Sequence, residues 1–325
     1  PAIGSMHKDG TILGWGVAGC AWLAARFDAE ARVELRSDGS AFVGVGTQDI
    51  GTGTYTVLAQ LVAEATGVPF GRVMVDLGDT RLPPGPLSGG SMVTASVIPA
   101  VLEAARAAMK AAIGVATSHE TGPFAGLKAS DLQFKGGSIF RKSESQSDGV
   151  PFERVLENGA VAFVSGSGKG ARTFGAEHPE FSSHSFGAQF VEVAWRPEIA
   201  RLRVNRVVTV IDGGTIINAR TACNQIEGSV VMGVGMALLE QTIYDPRSGA
   251  PINSNLADYM LATHADAPRI DVTFLDYPDL HLNELGARGV GEIGLAGLAP
   301  AITAAVYHAT GVRVRDLPIE IEKLL

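Results

Sequence analysis

Only two cysteines, Cys20 and Cys223, occur among the 325 residues, and neither belongs to a CxxC pair. A disulfide scaffold is therefore excluded, as is an iron–sulfur cluster ligated within the chain, because such a cluster normally draws on several cysteines. The histidines offer no substitute: His7, His119, His178, His184, His264, His281 and His308 show neither HxxxH nor HExxH spacing, so no side-chain metal site is expected. A metal working here would have to be held by something other than protein. Positive charge is also scarce, with 26 Lys and Arg against 34 Asp and Glu, a net charge of −8 and 6% aromatic residues. No basic stripe runs along the sequence, which argues against a nucleic-acid or anionic-membrane surface. No apolar run reaches the roughly 18 residues that span a bilayer, so a membrane-embedded protein is not expected. The opening "PAIGSMHKDG" lacks an initiator Met, a basic region and an apolar core, so it reads as a chain entered midway rather than as a secretory signal.

What is present describes a globular chain of one large or two medium domains, 46% hydrophobic with 40 glycines. Residues 31–46, "ARVELRSDGSAFVGVG", alternate apolar and polar positions about an Asp-Gly turn, the mark of a β-hairpin. "TYTVLAQLVAEATG" has helical spacing and stops at Gly67, and "TASVIPAVLEAARAAMKAAIGVA" predicts a long Ala-rich helix from Thr94. The stretch 118–185 is less regular; it holds a hairpin signal at "GGS" 136–138 and a flexible composition in "SGSGKGART" 165–173. A boundary inside it divides the chain into subdomains 1–165 and 166–325. The second half restarts with two long strands and a helix through "ARTACNQIEGSVVMGVGMALLEQ", then a strand at "RIDVTFL" and a helix at "PAITAAVYHATG". Strands, a glycine-rich loop and a helix in each half predict an α+β (mixed α/β) fold with two α+β subdomains.

Several motifs could carry chemistry. Gly14, Gly16 and Gly19 satisfy GxGxxG, but the strand and helix of a crossover unit are missing around them, so a nicotinamide dehydrogenase reading is not favoured. "GSGKGA" lacks the Ser or Thr that a P-loop places after its Lys, and reads as a mobile loop. "GTQDIGTG", ahead of a helix, could offer backbone N–H groups to an anion, with Gln48 adding an amide; it could equally be a connection whose glycines serve geometry alone. "SGGSMVTAS" repeats the design with Ser91, Thr94 and Ser96, and the pair of loops favours a phosphate-bearing ligand. Asn218 reads as the N-cap of the next helix, and Thr221 and Gln225 share one of its faces, to bind a polar ligand or to cap a neighbour. In "ELGARGVGEIGLAGL", Glu292 lies between glycine-rich apolar arms. Desolvation by Val290, Ile293 and Leu295 would suit a general base, while a first-turn acid of a helix over 293–310 explains the same residue.

Together, "GTQDIGTGTYTVLAQLVAEATG", "SGGSMVTAS", "VVTVIDGGTIINARTACNQIEGSVVMGVGMAL" and "GVGEIGLAGLAPAITAAVYHATG" resemble, in order and across nearly the whole chain, the xanthine dehydrogenase and aldehyde oxidase family of molybdenum hydroxylases. The likeness is to the C-terminal half of the molybdopterin-binding subunit, of the bacterial three-polypeptide aldehyde oxidase type. The resemblance implies an oxidoreductase that hydroxylates an aldehyde or aromatic N-heterocycle with water-derived oxygen. It implies molybdenum held by a pterin dithiolene, the pterin carrying a cytosine dinucleotide. By the same carry-over, Gln48, Asp49 and Ile50, and Ser91, Thr94, Ala95 and Ser96, would meet its phosphates. Asn218, Ala219, Arg220, Thr221 and Gln225 would meet the nucleotide, and Arg288, Gly289, Val290 and Gly291 the molybdenum-proximal end. Glu292 matches the catalytic glutamate, the general base that activates the Mo–OH group. Expected partners are the N-terminal half of the molybdenum subunit, which has no counterpart here, a 2Fe–2S subunit and an FAD subunit. The chain is thus expected to be a partial subunit or a fragment, inactive alone; a scaffold that has lost cofactor and catalysis is the alternative. Its place would be the cytoplasm, or the periplasm where a partner carries an export signal.

Overall fold

A computed structural model describes residues 1–119, 122–174 and 181–325. Strands and helices alternate irregularly along the chain, which confirms an α+β fold. It divides into two units that are discontinuous in sequence: 1–23, 184–277 and 290–325 form one, and 24–183 with 278–289 form the other. The change of unit at 183/184 falls within the 118–185 stretch in which the sequence places a boundary, and the first 23 residues join the later part of the chain. The reason is strand pairing: Thr11–Leu23 lies antiparallel to His184–Arg196, a partnership that no local pattern reveals.

The unit that contains residue 1 is built on a five-stranded sheet in the order His7–Lys8, Thr11–Leu23, His184–Arg196, Arg201–Asp212, Arg269–Leu275. The first three pairings are antiparallel and the last is parallel. Val191, Val193 and Trp195 alternate inward along their strand, as a half-buried strand requires. They pack with Val230 and Val234 of the helix Ala219–Leu238, and with Leu298, Ile302, Ala305 and Val306 of the helix Leu298–Thr310. Trp15, Val17 and Phe190 emerge half-exposed from the sheet.

The glycines of "GWGVAG" lie inside the Thr11–Leu23 strand, so no crossover turn exists. Their use is packing. A β-carbon on Gly14 would sit 2.0 Å from the Ala305 carbonyl oxygen, and one on Gly16 would sit 2.1 Å from that of Ala301. Backbone touches backbone because the side chains are missing. The segment Ile293–Thr310 also has the length and apolar character to cross a bilayer, contrary to the expectation that no apolar run is long enough. Here it is a core element, broken at Gly297 and buried along its inner side.

The other unit repeats the device. Its four-stranded sheet runs Phe163–Gly170, Ala29–Arg36, Ala41–Val45, Val73–Leu77. The helices Thr54–Thr66 and Val93–Ser118 pack with it and with each other. "GSGKGA" is therefore not a mobile loop. Five of its residues close the Phe163–Gly170 edge strand, in which every second residue from Val164 to Gly170 is buried. β-Carbons on Gly166 and Gly168 would lie 2.2 and 2.1 Å from the carbonyl oxygens of Ala104 and Ala100 on the long helix. Glycine richness that suggested flexibility instead admits a helix of alanines to close range. The hairpins at 36–41 and 135–138 form as expected, the second turning through Gly136 and Gly137 at positive φ.

Gly16→Val should accordingly lower stability by about 3 kcal/mol or more, since the added atoms meet helix backbone rather than a movable side chain. Gly71→Ala, where an added β-carbon meets nothing within 4 Å, should change it by less than about 0.5 kcal/mol. Urea unfolding of the two variants checks the contrast, and similar losses in both would contradict the packing role.

Candidate functional site

The unit built around residues 24–183 brings the two glycine-rich loops side by side. Gly46 donates its N–H to the Pro83 carbonyl at 2.7 Å, and Thr47 its hydroxyl to that of Pro86 at 2.6 Å. Gln48 continues the zipper: its Oε1 accepts from the Ser88 N–H at 2.9 Å, and its main-chain carbonyl accepts from the Ser88 hydroxyl at 2.5 Å. Ser88 was not singled out in the sequence; a serine facing the Gln48 amide across two loops gives no local signal.

Asp49 behaves differently from the sequence expectation of a loop open to phosphate. Its carboxylate accepts from the backbone N–H groups of Gly51 at 2.8 Å, Gly53 at 3.3 Å and Tyr55 at 3.3 Å, closing the start of the Thr54–Thr66 helix from within. Burial pushes this carboxyl up, but the backbone donors outweigh it and hold the group below the usual carboxylate range. Several N–H groups meant for a ligand thus already serve an anion of the chain itself. The pattern D-x-G-x-G ahead of a helix was the available signal. Ile50 is exposed.

Of the second loop, Ser91 sits at positive φ and its main-chain carbonyl lies against Gly289, where a β-carbon would stand 1.6 Å from it. That contact joins "SGGS" to "ARG". Arg288 is nearly buried and faces the Asp279 carboxylate at 3.9 Å. The buried Asn283 amide holds the turn just before it, accepting from Ala287 N–H at 3.1 Å and donating to the Ala287 carbonyl at 2.7 Å. Thr94 is half-buried. Ala95 and Ser96 do not present side chains to a ligand: Ala95 packs with Ala24 and Leu282, and the fully buried Ser96 hydroxyl accepts from Phe27 N–H while donating to the Met92 carbonyl. Helical phase turns both residues inward.

In the unit that contains residue 1, Asn218 caps the Ala219–Leu238 helix, its Oδ1 accepting from Thr221 N–H at 3.0 Å. Ala219 and Arg220 are exposed, while Thr221 and Gln225 are half-buried on the capped face. One turn further, the Ser229 hydroxyl donates to the carbonyls of Gln225 at 2.8 Å and Gly291 at 3.3 Å. Ser229 therefore ties the chain beside Glu292 to the helix that carries Thr221 and Gln225. Val290 fits over Gly213, where a β-carbon would meet its side chain at 2.4 Å.

Glu292 is half-buried and precedes the short helix Ile293–Ala296, its carbonyl accepting from Leu295 N–H at 3.1 Å. Two of the three apolar neighbours expected to desolvate it pack into the core: Ile293 packs with Ile211 and Ile226, and Val290 packs against the same cluster. Beneath the turn, fully buried Gln189 donates from Nε2 to the Gly294 carbonyl. Gln189 was overlooked, although an amide at an inward position beside Val191 and Val193 is a legible oddity.

Among the described residues, no three His, Cys, Asp or Glu side chains gather as a metal site; His178 lies outside them. Burial pushes the Cys20 thiol up, and burial with the nearby Glu227 does so for Cys223, so neither is an activated nucleophile.

Asp49 generates a pH-dependence. A carboxyl held low in the folded state stabilises the fold above its unfolded pKa of about 3.9, and this contribution is lost as pH falls through the lower folded value. Asp49→Asn should be less stable at neutral pH, and its stability should fall less between about pH 5 and pH 2. Parallel pH profiles for the two proteins in chemical unfolding would remove the capping role.

A family described as "Molybdopterin cofactor-binding domain" matches residues 2–268. The aldehyde oxidoreductase molybdenum-binding subunit PaoC of Escherichia coli K12 is 36% identical over 295 residues, 91% of this chain and 38% of that one. The xanthine dehydrogenase molybdenum-binding subunit of E. coli O157:H7 is 29% identical over 304 residues, 91% of this chain and 39% of that one. The chain thus spans less than half the length of these relatives. In fold it is similar to CO dehydrogenase from Oligotropha carboxidovorans, with a TM-score of 0.80 at 21% identity over 97% of this chain and 40% of the other. Quinoline 2-oxidoreductase from Pseudomonas putida 86 also gives 0.80, at 23% identity over 97% of this chain and 42% of the other. The chain belongs to the molybdopterin cofactor-binding domain family, among the molybdenum hydroxylases.

Proposed function

We propose that this chain is the part of a molybdenum hydroxylase subunit that holds molybdopterin and supplies the reaction's general base, Glu292. The observation that carries the reading is the Ser229–Gly291 hydrogen bond, which fixes the segment before Glu292 against the polar, capped end of the Ala219–Leu238 helix. The residues present fit such a cofactor. With no cluster of side-chain ligands among the described residues, the metal would be carried by the pterin's own sulfurs. The helix N-terminus, exposed Arg220 and the polar side chains of Thr221 and Gln225 suit the phosphates and base of a nucleotide, here taken as cytosine. In the other unit, Gln48 and Ser91 sit on loops joined to each other or to Gly289, and would position the pterin by backbone and amide contacts.

When bound, the molybdenum cofactor supplies two-electron redox chemistry. The chain's own part is to hold and move a proton. Glu292 would take on its carboxylate the proton of a water-derived hydroxyl group held at the cofactor, the substrate being an aldehyde or aromatic N-heterocycle. Gln189, Ser229 and Val290 fix the main chain on either side, so the carboxylate's position is set by a core rather than by a loose loop. A 2Fe–2S subunit and an FAD subunit would take the electrons away, and the remainder of the molybdenum subunit would complete the substrate pocket. The chain alone would not turn over. The assembly would work in the cytoplasm, or in the periplasm if a partner carries the export signal.

Glu292→Gln in the assembled enzyme should lower turnover about a hundred- to ten-thousand-fold while molybdenum content and released cytosine nucleotide stay at wild-type levels. Near-normal turnover at full metal loading would end the general-base reading, and protein purified with its partners yet devoid of molybdenum would end the cofactor reading.

A further inference from the structure

Away from all of these residues, the five-stranded sheet carries a cleft of about 360 Å³ lined by Lys8, Arg196, Arg201 and Arg203, with Asp9 as its one carboxylate. In a chain of net charge −8 this is a local reversal of sign. It forms only in the fold, because Lys8 comes from the first strand and the arginines from the adjoining ends of the strands His184–Arg196 and Arg201–Asp212.

The cations are arranged as a receptor rather than as a solvated rim. Arg196 and Arg201 are directly paired across the antiparallel strands, and like charges opposite one another destabilise a sheet. Among the described residues neither makes an ion pair with a carboxylate. Arg196 is held by its Nε, which donates to the buried hydroxyl of Thr11 at 2.7 Å, leaving its two terminal nitrogens without a partner among the described residues. Arg203 is oriented from the side by the Ala265 carbonyl at 2.6 Å, with Asp266 at 4.0 Å. Lys8 and Arg201 make no side-chain hydrogen bond or ion pair with any described residue. Two pre-oriented guanidinium forks and two unengaged cations therefore face one space, and fixed forks suit the planar edges of carboxylate and phosphate groups.

We propose that this cleft binds a compact polyanion that presents at least two phosphate or carboxylate groups, independently of the molybdopterin site. A single charge would leave the Arg196–Arg201 opposition largely uncompensated, whereas two adjacent anionic groups can bridge the pair and reach Lys8. Asp9, which lines the same cleft, disfavours a larger anion that would extend over it.

Calorimetric titration of the 325-residue chain with pyrophosphate, and separately with citrate, tests this against sodium chloride of matched ionic strength. One saturable site per chain is expected for at least one of the two probes. The Lys8→Gln/Arg201→Gln double variant should weaken that binding about tenfold or more, with no fall in the ligand-free melting temperature because neither side chain holds the fold. Arg247→Gln, on an exposed loop outside the cleft, should bind as wild type. Absence of saturable binding for both probes overturns the proposal, as does undiminished affinity in the double variant. A lowered ligand-free melting temperature in that variant would assign the cations to the fold and overturn it equally.

Discussion

The approach of an alanine-lined helix to a strand stripped of side chains is the contact on which both units depend. Over Gly14 and Gly16, and again over Gly166 and Gly168, an added β-carbon would fall 2.0–2.2 Å from a helix carbonyl oxygen. Helix and sheet ordinarily meet through interdigitating side chains, which hold the backbones apart and tolerate small slips. Backbone contact removes that tolerance: the helix can neither rotate a large residue into the seam nor slide along it without collision. The alanines Ala100, Ala104, Ala301 and Ala305 are buried because only a methyl group fits there. Glycine and alanine act as a pair, and either alone would leave a void or a clash.

This constraint reaches the candidate base through Gly297. A β-carbon there would meet the Gln189 side-chain oxygen at 2.7 Å, Cys20 at 3.1 Å and the Gly19 carbonyl at 3.2 Å, so the third glycine of "GWGVAG" receives the break between the helices 293–296 and 298–310. Gln189 then holds Gly294, and Ser229 holds Gly291, one residue from Glu292. The position of Glu292 is thus inherited from the strand Thr11–Leu23 by a series of short contacts with little freedom at any step. A carboxylate that must meet a cofactor in a fixed direction benefits from such a foundation more than from a pocket of apolar neighbours.

Local features of the fold were legible because local physics produces them. The Asp-Gly hairpin, the C-terminal Gly67, the Asn218 cap and the long alanine helix each follow from the energetics of a few adjacent residues. Strand pairing between 11–23 and 184–196 was not legible, since either strand would satisfy its hydrogen bonds with any suitable neighbour. For the same reason the membership of residues 1–23 in the later unit was not legible. Glycine misled in "GSGKGA", where, as at Gly14 and Gly16, a spacing of two marks the face of a strand turned to a helix, which composition alone reads as a mobile loop. In the site, the loops at Gln48 and Ser91 were recognised as candidates, yet Ala95 and Ser96 belong to the core because the helix begins earlier, at Val93, and turns them inward. Glu292 drew notice for its apolar neighbours, of which Ile293 and Val290 face the Ile211 and Ile226 cluster.

The distribution of charge separates residues that hold the site's shape from those open to a ligand. Asp49 uses the N–H groups at the start of its helix, and Arg288 faces Asp279 in a nearly buried pair, so both matched ionisable groups of that unit serve local geometry first. An internal carboxylate at a helix N-terminus weakens the pull on an external phosphate there, because the same donors and the same dipole are already engaged. No equivalent acid lies in the first turn of the Ala219–Leu238 helix, and Arg220 beside it is exposed. Between these two helix starts, the second keeps the stronger attraction for an anion. The glycine loop at Gln48 is better suited to neutral, hydrogen-bonding parts of a cofactor, which need shape and amide partners rather than compensating charge.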